Sequence, residues 1–270
     1  MSEVKLPEGA PEEVITKAIL REIDLTAFGA TGTLSLITLD NGMDHNRPNT
    51  FGPASLKALD EAITAAQNSS SVAIGITGKP FIFAAGADLS ALAFLTEKSQ
   101  ALAIGKLGHD VFKRLGNGPK PTFAFVNGLA LGGGLEVALH SNYRTLATTA
   151  FTGLPEVFLG LVPGWGGATI LPKLIGPEKA VQVIILNALN NNTMLKAKDA
   201  LALGVTDAVF EPADFLENSI KFAAQILNGS KKITRTDHTA DVAQWESALA
   251  TGSAAAAKKY GGAPIASPAM

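Results

Sequence analysis

The sequence predicts an α/β fold, and three observations carry that prediction. Short apolar runs read as buried strands. Stretches with apolar residues at helical spacing lie between them. Turn-forming residues punctuate the boundaries. Residues 33–39, Thr-Leu-Ser-Leu-Ile-Thr-Leu, read as a strand, and Asp40-Asn41-Gly42 as its turn. Residues 53–67 place Leu56, Leu59, Ile63 and Ala66 at helical spacing. A second strand covers 71–77, closed by Gly78-Lys79-Pro80, and a long helix covers 98–115. Residues 121–126 are a third strand, short and apolar as a buried strand should be. Strands alternating with helices are the α/β pattern. From Pro177 onward the reading is mostly helical, with a last helix over 240–259 and a mobile tail over 261–270.

The bulk numbers bound what such a chain can be. It has 270 residues, enough for one large domain or two small ones, and 47% are hydrophobic, so a sizeable core is expected. No apolar run approaches the ~18 residues of a membrane span. The start carries Glu3, Lys5 and Glu8 and lacks the apolar stretch of a signal peptide, and the absence of cysteine fits a reducing cytoplasm. A net charge of −2 argues against a nucleic-acid partner that needs a basic face. With no cysteine, disulfides, thiolate catalysis and Cys-ligated metals are excluded.

Residues 130–136, Ala-Leu-Gly-Gly-Gly-Leu-Glu, carry the strongest chemical signal. Three glycines let bare backbone N–H groups approach a ligand, and the apolar run 135–139 puts them at a helix N-terminus. There the helix dipole favours negative charge. Donors aimed at charge developing on a carbonyl oxygen form an oxyanion hole. Glu136 stands in the first turn beside them; a tight turn with a dipole-matching glutamate would read the same way. The spacing is neither a dinucleotide fingerprint nor a P-loop.

Two further segments add to it. In Phe83-Ala84-Ala85-Gly86-Ala87-Asp88-Leu89, Gly86 permits an unusual backbone angle and Asp88 suits a helix N-cap. A plain loop-to-helix turn looks alike. In Leu154-Pro155-Glu156 and the following run to Gly167, Glu156 lies among apolar residues. Lost hydration raises a carboxyl's pKa, which suits an acid. The bland reading is a loop cap or a lysine partner. Pro163-Gly164-Trp165-Gly166-Gly167 reads as a turn opening another helix. The histidines at 45, 109, 140 and 238 show no metal-ligand spacing and read as solvated or core residues. No Gly-x-Ser-x-Gly is present, which lowers the case for a serine hydrolase.

Taken together and in this order, residues 85–89, 127–136 and 154–167 resemble the crotonase superfamily of enoyl-CoA hydratases and isomerases. Residues 196–207 resemble the helix-to-strand signature of the same family, and the likeness runs from about 33 to about 228. The resemblance implies a crotonase (ClpP-like) spiral of β-β-α units over residues 1–195. A C-terminal helical oligomerisation region over 196–270 would then build a homotrimer or homohexamer. Ala87 and Gly133 would supply the oxyanion N–H groups. Glu136 and Glu156 would be the catalytic carboxylates, and Gly164 would mark the water. Ala85, Asp88, Leu89 and Arg47 are the further substrate-binding positions. No metal and no cofactor is implied, since coenzyme A is part of the substrate.

Residues 44–49, Asp-His-Asn-Arg-Pro-Asn, resemble the hydratase part of multifunctional β-oxidation proteins. Those carry a dehydrogenase domain that is not expected in this chain. The implied reaction is addition of water across the 2,3 double bond of trans-2-enoyl-CoA. The alternatives are a double-bond isomerase, another thioester chemistry, and a non-catalytic acyl-CoA-binding homologue. Phe83, Leu89, Leu92, Leu95 and Trp165 are candidates to line the acyl tail. Arg47, Lys231, Lys232, Lys258 and Lys259 are candidates for the CoA phosphates. Residues 1–30, the run Asn190-Asn191-Asn192 and the end after Gly252 depart from the family pattern.

Overall fold

A computed structural model describes residues 9–261, apart from the side chains of Leu92 and Ala93. The tail expectation beyond Gly261 and the Leu92 expectation therefore lie outside the described residues. The chain opens with β1 (Lys17–Asp24), β2 (Thr33–Asp40), α1 (Pro53–Asn68), β3 (Ala73–Gly78) and β4 (Ile82–Ala84). It continues through α2 (Lys98–Gly116), β5 (Thr122–Val126), β6 (Leu129–Leu131), α3 (Gly133–His140), β7 (Tyr143–Ala147) and β8 (Phe151–Gly153). The C-terminal part holds α4 (Gly167–Ile175), α5 (Pro177–Val181), α6 (Asn187–Leu189), β9 (Leu195–Lys196) and α7 (Ala197–Leu203). It ends with β10 (Ala208–Phe210), α8 (Phe215–Leu227) and α9 (Val242–Tyr260).

The three strands and the helices over 53–67, 98–115 and 240–259 are where periodicity put them. Local chemistry explains their ends. Pro53 opens α1, where its missing N–H costs nothing, and Glu13 accepts hydrogen bonds from the Ala54 and Ser55 N–H groups. Glu97 and Gln100 form a reciprocal capping box at α2. Asp241 accepts from the Gln244 N–H and starts α9.

Two differences stand out. Residues 17–24 form an edge strand, antiparallel to β2, where periodicity shows no strand. None of its side chains is fully buried, so the period-2 pattern is weak. The region after Pro177 also contains β9 and β10, strands too short to leave a period.

Among the described residues two sheets result, one of six strands in the order β1-β2-β3-β5-β7-β10 and one of four in the order β4-β6-β8-β9. Three times the chain runs one strand in the large sheet and the next in the small one. β3 is followed by β4, β5 by β6, and β7 by β8. Strands β3 and β5 are buried on both faces, as expected of central parallel strands. Phe51, Phe112 and Trp165 pack edge to face, with centroids 5.2 to 6.5 Å apart. Among the described residues no helix is long and apolar enough to cross a membrane.

The small sheet positions the chemistry. β4, β6 and β8 lie side by side and parallel. Ala85-Gly86-Ala87-Asp88 leaves the end of β4, Gly132 the end of β6, and Leu154-Pro155-Glu156 the end of β8. Three segments far apart in sequence thus emerge together at the carboxyl ends of neighbouring parallel strands, where open α/β sheets place their ligands.

Candidate active site

The three segments enclose a cavity of about 290 Å³. Its wall includes Ala85, Ala87, Leu89, Gly133, Glu136, Glu156 and Gly164, and also Leu95 and Trp165. Seven of the nine residues proposed from sequence for catalysis or binding therefore meet in one space.

Backbone geometry sets the anion-facing part. Phe51 pairs with the strand-like segment at Ala87: the Phe51 N–H donates to the Gly86 carbonyl and the Asp88 N–H to the Phe51 carbonyl. The Ala87 N–H points the other way and meets no acceptor among the described residues. Gly133 opens α3, so its N–H is one of the orphan donors of a helix start. The two backbones touch, since a Cβ on Gly86 would stand 3.2 Å from the Gly133 nitrogen. Gly132 precedes them with φ +52°, and a Cβ there would stand 2.8 Å from Oε1 of Glu156. Only glycine occupies that position without displacing the glutamate.

The two carboxyls are buried differently. Glu136 is 2% exposed, and its Oε1 accepts from the Trp165 N–H at 2.8 Å and the Gly167 N–H at 2.9 Å. Burial pushes it up to about 7, and the two N–H donors restrain the rise. Glu156 is 8% exposed, and its Oε2 has no hydrogen-bond partner among the described residues. Burial first, and the neighbouring Glu136 second, push it up to about 8. A buried, unpartnered carboxyl oxygen in a cavity wall calls for an explanation, and a reacting ligand supplies one.

One sequence expectation changes, and two further residues lie outside the cavity wall. Phe83 is fully buried in the core and does not line the cavity, because its face of β4 points away from it. Arg47 lies exposed in the loop after β2, outside the cavity wall. There its carbonyl accepts from the buried Lys79 ammonium, which also binds Asn41 Oδ1 and the carbonyls of Met43 and Asp44. Asp88 serves as the turn cap, accepting from the Ser90 N–H at 2.9 Å, and is likewise outside the wall.

Sequence reading missed the helical wall, formed by Ala101, Ile104 and Gly105 of α2. Their spacing on one helix face was the available signal. It also missed Asn49, fully buried, whose side chain ties the Leu39 and Phe83 carbonyls together beside the Ala85 N–H. Among the described residues no group of His, Asp and Glu is arranged to hold a metal.

With this geometry in hand, comparison with known proteins decides the family. Residues 30–263 match the family model described as enoyl-CoA hydratase/isomerase. The chain belongs to that family. It is 35% identical over 202 residues to the crotonyl-CoA hydratase of Syntrophomonas wolfei, with 72% of this chain and 75% of that protein covered. It is 34% identical over 216 residues to the short-chain-enoyl-CoA hydratase of Clostridium acetobutylicum, covering 77% of each. It is 37% identical over 185 residues to the fatty acid oxidation complex subunit alpha of Idiomarina loihiensis. There it spans only 25% of the relative's length, against 68% of its own.

Solved structures agree on the fold of this family member. An enoyl-CoA hydratase from Bacillus anthracis superimposes with a TM-score of 0.66 at 25% identity, covering 90% of both chains. The Pseudomonas aeruginosa protein DspI gives 0.67 at 26% identity, covering 92% of this chain and 91% of that one.

Proposed function

We propose that this protein hydrates trans-2-enoyl-CoA to 3-hydroxyacyl-CoA. The observation that carries the reading is the meeting of two free backbone donors and two buried carboxyls in one apolar cavity. The thioester oxygen accepts from the Ala87 and Gly133 N–H groups. Glu136, held by Trp165 and Gly167, takes a proton from a water near Gly164. The water oxygen bonds to C3, and negative charge moves to the thioester oxygen. Glu156 delivers a proton to C2, and the double bond becomes single. The lower pKa of Glu136 suits the base and the higher one of Glu156 the acid. Each oxyanion donor is expected to be worth about 10²–10³ in rate, and each carboxyl roughly 10²–10⁴. Water and enoyl thioester balance the product, so no redox cofactor enters.

The names of the relatives support this reading, and those of the alpha subunits support a place in fatty-acid β-oxidation. Isomerisation needs one carboxylate to carry a proton between carbons. Two carboxyls in one wall favour hydration instead. The alternation of strands between the two sheets supports the spiral of β-β-α turns. The apolar residues left open on the C-terminal side, Leu201, Leu216 and Leu249, support assembly into a trimer or hexamer. Arg47, Lys231, Lys232, Lys258 and Lys259 are exposed and are our candidates for the CoA phosphates. We place the protein in the cytoplasm, with no nucleic-acid or membrane partner.

The test is direct. Purified protein with crotonyl-CoA should lose the absorbance of the conjugated thioester. No loss at micromolar protein, with crotonyl-CoA bound, would contradict hydration of this substrate and leave the isomerase and the non-catalytic alternatives.

A further inference from the structure

His140 lies one helical turn beyond Glu136 on α3, so both side chains leave the same helix face. Both reach the turn 163–167 between the Glu156 segment and α4. Glu136 takes that turn from its donor side, through the Trp165 and Gly167 N–H groups. His140 takes it from the acceptor side: its Nε2 is 2.8 Å from the Trp165 carbonyl oxygen. A carbonyl only accepts, so Nε2 carries the proton. The contact is tight, since a Cβ on Gly166 would stand 2.5 Å from Nε2. The ring is 8% exposed and packs edge-on against His109 and Phe112 of α2 at 5.7 and 6.2 Å.

We propose that His140 is a positioning residue for the hydration: by fixing the Trp165–Gly166 peptide it steadies the flanking Trp165 and Gly167 N–H groups, and with them the Glu136 carboxylate. The rigid Trp165–Gly166 peptide unit that His140 holds lies between the two units whose N–H groups, those of Trp165 and Gly167, donate to Glu136, so two side chains of one helix fix three successive peptide planes. Oε1 of Glu136 is committed to the turn, and its other oxygen is left for the reacting water. Burial pushes the imidazole down to about 4, so it is a neutral donor wherever Glu136 works as a base. The proposal rests on the hydratase reading and adds a residue that touches neither substrate nor water.

The test compares His140→Gln, which keeps a donor near the Nε2 position, with His140→Leu, which fills the space without one. On crotonyl-CoA the leucine variant should lose about tenfold to a hundredfold in kcat, because small misplacements of a catalytic group cost that much. KM should stay near the wild-type value, and glutamine should recover most of kcat. Equal kcat in all three proteins overturns the proposal. So do equal losses in both variants, which mark packing alone. If the leucine variant does not fold, nitrogen NMR of the wild-type ring decides. A neutral Nε2–H tautomer with a slowly exchanging proton is expected; an Nδ1–H tautomer or a freely exchanging ring overturns the proposal. A wild-type protein inert toward crotonyl-CoA would sink the hydratase reading instead, and the ring measurement would stand apart from it.

Discussion

Gly132 and Glu156 share one small volume: the space a Cβ on Gly132 would take lies 2.8 Å from Oε1 of Glu156. Gly132 also has φ +52° and ψ −125°, outside the left-handed helical well, where an L side chain costs roughly 1–3 kcal/mol. Gly132→Ala is therefore expected to lower stability by about that amount and to push the carboxyl off its place. We expect kcat to fall by on the order of 10²-fold, since a displaced group acts like a missing one. Thermal unfolding and steady-state kinetics on one preparation separate the two effects. An alanine variant with wild-type kcat would show that Glu156 does not depend on this contact.

Glu136→Gln and Glu156→Gln should each lose roughly 10²–10⁴ in kcat. Acyl-CoA binding should persist in both, because the proposed oxyanion donors are backbone groups. Calorimetric titration with a product thioester, beside initial rates, checks both halves. Full activity in either variant removes that glutamate from the mechanism.

The same two groups set a pH dependence of rate. Turnover requires Glu136 ionised and Glu156 protonated. The rate should rise through about 7 as Glu136 loses its proton and fall above about 8 as Glu156 loses its own. The limbs belong to the pair, since the carboxyls interact. A kcat profile that is flat from pH 5 to 10 would contradict this assignment.

They also set a pH dependence of stability. A carboxyl whose folded pKa lies above its unfolded value binds protons more tightly in the native state. Native stability then falls as pH rises from the unfolded value of 4.5 toward about 8, and levels off above it. A tenfold difference in proton affinity between folded and unfolded chain corresponds to about 1.4 kcal/mol. Glu156→Gln should thus be more stable than wild type near pH 8, by up to a few kcal/mol, with the gap closing below pH 4.5. Denaturant unfolding at both pH values measures it. A variant less stable than wild type at pH 8 would show that the charge is better accommodated than its burial implies.

The end of the chain carries a further expectation. α9 packs on α5 and on the helical turn 182–186, and Tyr260 donates from its hydroxyl to the Val157 carbonyl at 3.3 Å. Val157 follows Glu156 directly. Truncation before residue 230 should uncover Val181 and Ile185, release the Glu156 segment, and reduce both assembly and activity. Light scattering with an activity assay reports both. A stable, fully active monomer would contradict the assembly.

Much of the fold and site is legible in the sequence, and the reasons are local. Strands β2, β3 and β5 and helices α1, α2 and α9 carry enough residues for a period to show. Gly132, Gly133 and Gly134 announce a close approach because no other residue type tolerates one. What is not legible is non-local. β4, β6 and β8 have three residues each, too few for any period, and their parallel register is what joins Ala87, Gly133 and Glu156. Phe83 faces the core rather than the cavity, and the facing of a three-residue strand cannot be read from its own residues. His140 reads as an ordinary core histidine; its bond to Trp165 spans 25 positions.

The central claim is that water adds at C3 while Glu156 protonates C2. Turnover of crotonyl-CoA in water enriched in both oxygen-18 and deuterium tests it most directly, with mass spectrometry locating each label. The expected product is 3-hydroxybutyryl-CoA with the heavy oxygen on C3 and one deuterium on C2. Labelled free carboxylate with released CoA, a shifted double bond carrying deuterium alone, or crotonyl-CoA recovered entirely unconverted would contradict the account.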